Sequence, residues 1–174
     1  DCDFQFGLGK RIAIVGANGC GKTTLLNHIL NDGKGIVLSP KVVFASYQQL
    51  SYKMTESESI LVYLMKQTDY SESFVRSILH NLGFYQTEIL KPVKNLSGGE
   101  ATRVQIALLF VKPANVLILD EPTNFIDLPT IEALEKLMRD YLGTVIFTSH
   151  DQLFVDQVAN EVYQVVDQKL KKIT

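Results

Sequence analysis

The stretch of the sequence that most restricts its fold is 12–30, IAIVGANGCGKTTLLNHIL. Ile12, Ala13, Ile14 and Val15 form a short, wholly apolar run, the mark of a strand buried on both faces, as in a parallel sheet. A glycine-rich turn follows, and then a helical segment from about Lys22 to Asn31, stopped by Asp32-Gly33. Within it, Gly16, Gly21, Lys22 and Thr23 satisfy G-x-x-x-x-G-K-[ST], and the strand-loop-helix context is the one that motif requires. Glycines let successive backbone N–H groups point inward at phosphate oxygens, and the helix N-terminus adds about half a positive charge. Gly16, Asn18, Gly19, Cys20, Gly21, Lys22, Thr23 and Thr24 are therefore the candidate phosphate contacts. Lys22 is expected to reach the outer phosphates, and Thr23 offers a hydroxyl to Mg²⁺. The glycine order G-x-x-G-x-G argues against a dinucleotide-binding turn, which needs G-x-G-x-x-G.

Further apolar runs alternate with helical patterns. Strands are expected at residues 2–8, 42–45, 116–119 and 145–148, with a terminal hairpin pairing 162–166 and 169–173. Residues 51–95 read as an all-helical insert, with Thr55-x-x-Glu58 as a capping box and Phe74, Val75, Ile78, Leu79 and Leu82 at helical spacing. The expected fold is α/β: a P-loop NTPase with a mostly parallel sheet flanked by helices, an inserted helical subdomain and antiparallel edge strands. The core would comprise residues 1–50 and 96–174, and the insert 51–95. A net charge of −2 does not suggest a free-standing nucleic-acid binder. No run approaches a membrane span, and two cysteines fit a reducing cytoplasm better than a disulfide framework.

Two further places carry candidate chemistry. Val116–Leu119 ends in Asp120-Glu121; set beside the phosphate-loop strand, Asp120 would hold Mg²⁺ through water and Glu121 would act as general base on an attacking water. An acidic pair capping a turn is the plainer reading, weakened by the phosphate loop nearby. His150, ending VIFTSHD, stands where ligands of open α/β sheets bind. Gln48 or Gln49, in the loop after another strand, could reach Mg²⁺ and the attacking water, an exposed glutamine being the plainer reading of either.

Taken together, GANGCGKTT, LSGGE, VLILDEPTN, NFID and SHD resemble, in order, five motifs of the nucleotide-binding domain of the ATP-binding cassette (ABC) superfamily. The resemblance implies ATP and Mg²⁺ as ligands, Gln48 as the Q-loop glutamine and His150 as the switch histidine. It also implies head-to-tail pairing with a second cassette, from the same full-length chain or a second copy. Ser97, Gly98 and Gly99 would then meet the third phosphate of the partner's ATP, where a Cβ would hold it off. KPVKNLSGGEATRVQIALLF and GTVIFTSHDQLFVDQVANEVYQV are similar to the second cassette of the ABC-F branch, whose members lack membrane domains and often bind ribosomes. Phe125 stands where that branch usually has His, and Cys20 where it commonly has Ser. Only fifteen residues precede Gly16, so the adenine-contacting strand of the family and the ribosome-reading linker are expected to lie outside this chain. Alternatives are the cassette of a membrane transporter, which shares the chemistry, and a small-molecule kinase using the same loop.

Overall fold

A computed structural model describes residues 4–47, 54–167 and 169–174. The chain divides into two compact units, residues 1–48, 114–124 and 138–174, and residues 49–113 with 125–137.

The first unit is built on six strands: β1 (Arg11–Val15), β2 (Phe44–Tyr47), β3 (Val116–Leu119), β4 (Thr144–Thr148), β5 (Glu161–Val166) and β6 (Lys169–Lys172). Their spatial order is β2-β3-β4-β1-β5-β6. The first five are parallel, and β6 returns antiparallel along β5, with Tyr163 opposite Lys172. The mostly parallel sheet with an antiparallel edge is thus as expected. One placement is corrected: β3 does not adjoin β1, because β4 lies between them and pairs with both.

Alternation along the strands sends side chains to opposite faces. Ile12, Ile14, Val116, Ile118 and Ile146 share a core with Leu26 and Ile29 of α1 (Lys22–Leu30), each fully buried aliphatic contributing about 1.5–3 kcal/mol. Phe147 meets Phe154 of a later helix, Gln152–Val158, ring edge to face at 5.5 Å. The strand expected at residues 2–8 does not form over the described residues 4–8. Both flanks of β1 are already taken by β4 and β5. Phe4 and Phe6 instead set their rings edge-on to Tyr163, each at 5.2 Å.

The second unit contains α2 (Ile60–Met65), α3 (Glu72–Asn81), α4 (Gly98–Val111) and most of α5 (Leu128–Asp140); the helix Gln152–Val158 is α6. Helices α2, α3 and α4 pack on one another, and Ile60, Leu64, Val75, Leu79 and Val104 on them are buried. That packing draws α4 into this unit, whereas residues 96–111 were expected with the sheet. The Thr55–Glu58 capping box also does not form: Ser59 caps α2 by accepting from Val62 N–H, and the Glu56 and Glu58 carbonyls accept from Lys94 and Val93 N–H. Helix α3 ends as expected, at Gly83 with φ +78°. Among the described residues no helix is long and apolar enough to cross a membrane.

Candidate functional site

The loop between β1 and α1 requires its glycines for different reasons. At Gly16 (φ +154°) a Cβ would come within 2.7 Å of Cys20 Sγ and 3.1 Å of the Val165 carbonyl oxygen. At Gly19 (φ +77°) and Gly21 (φ +103°) the backbone is left-handed, but a Cβ would meet open space. Gly21 is the N-cap of α1 and brings no side chain to it. The first-turn N–H groups of a helix have no partner within it, so this end offers donors and a positive dipole to an anion. Lys22 is 7% exposed and folds back over the loop, its Nζ donating to Gly16 O (3.0 Å) and Ala17 O (3.3 Å). Asn18, Thr23 and Thr24, in the same loop and first turn, are exposed. The arrangement fits a run of phosphates.

Four further side chains stand at the ends of β3 and β4, and one of them, Glu121, reaches Lys22. Glu121 Oε1 lies 3.6 Å from Lys22 Nζ, and Glu121 Oε2 lies 2.8 Å from His150 Nδ1. A carboxylate only accepts, so Nδ1 carries the shared hydrogen. Glu121 has φ +44°, a left-handed conformation that costs a non-glycine residue about 1–2 kcal/mol. Its N–H donates to Thr148 Oγ1 at 2.8 Å, and Thr148 Oγ1 donates in turn to Asp120 Oδ1 at 2.6 Å. Among the described residues no three His, Cys, Asp or Glu side chains gather as a metal cage. Mg²⁺ fits such a place all the same, since it is commonly held by one or two protein oxygens together with phosphates and water.

Lys22, Asp120, Glu121 and His150, expected from sequence, are thus brought together. Thr148 was missed; its signal was a hydroxyl ending a strand that is otherwise apolar from Val145 to Phe147. Gln48 lies outside the described residues.

The LSGGE corner belongs to the second unit. Ser97 and Glu100 form the expected capping box: Ser97 Oγ accepts from Glu100 N–H (3.3 Å), and Glu100 Oε2 accepts from Ser97 N–H (2.7 Å). Lys91 Nζ donates to both Glu100 oxygens at 2.8 and 3.0 Å. With that hydrogen bond first and the Ser97 N–H next, the Glu100 carboxyl is held down to about 2. Ser97, Gly98 and Gly99 are exposed, and a Cβ on either glycine would meet open space. Nothing among the described residues calls for glycine at either place. Phe125, with φ +62°, is 94% exposed.

A family model described as "ABC transporter" matches residues 1–124. The chain belongs to that family. It is 50% identical over 171 residues to the erythromycin resistance ATP-binding protein MsrA of Staphylococcus epidermidis, a match covering 98% of this chain and 35% of that one. It is 35% identical to ABC transporter F family member 2 of Arabidopsis thaliana, covering 91% of this chain and 24% of the relative. Among solved structures it is similar to RNase-L Inhibitor, with a TM-score of 0.74, 27% identity, and coverage of 90% of this chain and 32% of that chain. The chain therefore spans about a quarter to a third of the length of these curated relatives.

Proposed function

We propose that this chain is an ATP-binding and ATP-hydrolysing cassette that works by head-to-tail pairing with another cassette. The observation that carries the reading is the convergence of the phosphate loop, Lys22, Glu121 and His150 at the ends of adjoining strands. In this reading Lys22 leaves its loop carbonyls for the outer phosphates, while the loop N–H groups from Gly16 to Thr24, Asn18 and Cys20 included, hold the rest. Thr23, Asp120 and Gln48 would hold Mg²⁺, which when bound neutralises phosphate charge. Glu121 takes a proton from water, oriented by the His150 Nδ1 hydrogen, and the exposed histidine ring is assigned to the third phosphate. Ser97, Gly98 and Gly99 act on the nucleotide of the partner; the open space at both glycines supports that role.

The wider protein is proposed to be an ABC-F ribosome-associated factor of the cytoplasm, of antibiotic-resistance type. Identity of 50% to an erythromycin resistance protein and the match to an F-family member support this. Ribosome contact would come through parts outside this chain.

Equilibrium binding of N-methylanthraniloyl-ATP with Mg²⁺ tests the site. The chain is expected to bind, and Lys22→Ala to weaken binding by about tenfold or more, as loss of a charge-assisted hydrogen bond implies. Equal affinity of the two would refute the assignment.

A further inference from the structure

Thr148 is a buried hydroxyl at the end of β4, 0% exposed, with both of its hydrogen-bonding directions committed. It donates to Asp120 Oδ1 at 2.6 Å, within the short range of hydroxyl–carboxylate bonds. It accepts from the N–H of Glu121 at 2.8 Å. These two bonds reach neighbouring residues with different proposed tasks, and they reach one by its side chain and the other by its backbone. β4 pairs with β3 along its length, Leu119 opposite Phe147, so Thr148 stands one step past the last register pair. From there its Oγ1 extends the ladder by one side-chain bond where β3 turns away. The residue whose N–H it takes, Glu121, is the one with the left-handed backbone from which the carboxylate leaves the strand.

We infer that Thr148 is a positioning residue for the Mg²⁺–nucleotide site: its one hydroxyl orients Asp120 toward the metal and fixes the backbone that aims Glu121. With Oδ1 engaged by Thr148, Oδ2 is the Asp120 oxygen assigned to a metal-bound water. Metal-site carboxylates held by outer hydrogen bonds lose about 10- to 100-fold in metal affinity or activity when the outer partner is removed. Valine matches threonine in shape but offers neither the donor nor the acceptor; serine offers both.

The inference rests on the cassette reading, and one titration separates the two. Binding of N-methylanthraniloyl-ATP is followed by fluorescence in excess EDTA and against rising Mg²⁺, for the parent chain, Thr148→Val and Thr148→Ser, each checked for folding by circular dichroism. The expected result is unchanged affinity in EDTA, a Mg²⁺ requirement raised about tenfold in Thr148→Val, and return to the parent curve in Thr148→Ser. In an Asp120→Asn background, Thr148→Val is expected to have no further effect on the Mg²⁺ curve. If Thr148→Val does not fold, Thr148→Ala carries the same comparison. A Mg²⁺ curve identical to the parent's in a folded hydroxyl-free variant overturns the Thr148 assignment alone. Failure of the parent chain to bind the nucleotide with Mg²⁺ overturns the cassette reading and this inference with it.

Discussion

The Nδ1 of His150 lies 2.8 Å from Oε2 of Glu121, joining the end of β4 to the end of β3 through two side chains. The opposite carboxylate oxygen faces Lys22 Nζ at 3.6 Å. A group placed between a cation and a ring N–H is held in one orientation before any ligand arrives, which is what a general base requires.

From this geometry, Glu121→Gln is expected to lower ATP turnover by about 10²- to 10⁴-fold, the range for loss of a general base, with ATP binding retained. Loss of binding together with turnover would make Glu121 a counter-ion of Lys22 instead. Steady-state phosphate release and nucleotide titration on the same sample distinguish the two.

Gly99→Ala sets folding and function against each other. Its Cβ meets open space and the glycine has helical backbone within α4, so thermal stability should hold or rise, by up to about 1 kcal/mol. Turnover and ATP-driven pairing should fall, because the same methyl stands where a partner's phosphate is proposed to sit. A variant that is more stable and equally active would remove the corner from the site.

Glu100 links the helical unit to pH. Its carboxyl is lowered from 4.5 to about 2, chiefly by the Lys91 hydrogen bond. A depressed carboxyl contributes stability that is complete above its unfolded value near 4.5 and is lost as pH falls toward 2. Glu100→Ala is therefore expected to destabilise the chain by about 1 kcal/mol at pH 7, the scale of a lost, partly solvent-screened hydrogen bond to a charged group, and to narrow that gap as pH falls from 4.5 toward 2. Urea melts across that window check it; a gap constant with pH would contradict the ionic origin.

Much of this was legible in sequence because the motifs sit where period and punctuation agree. The apolar runs at Ile12 and Val116 and the Ser97–Glu100 box form the elements their patterns imply. The Thr55–Glu58 pattern misled because the carbonyls of Glu56 and Glu58 pair with the backbone at Lys94 and Val93, about 35 residues on, a partner invisible to local spacing. Lateral strand order was likewise hidden. Nothing local in VLILDEP reveals that β4 stands between it and the phosphate-loop strand. For the same reason Thr148 escaped notice, since its role depends on which strand end lies beside it.

The nucleotide site is proposed to be shared, completed only when one cassette meets another. Sedimentation velocity of the Glu121→Gln chain with and without Mg²⁺-ATP tests it most directly. A monomer is expected without nucleotide and a dimer with ATP, reversed by adding Gly99→Ala. A chain that binds ATP and stays monomeric at every concentration would contradict it.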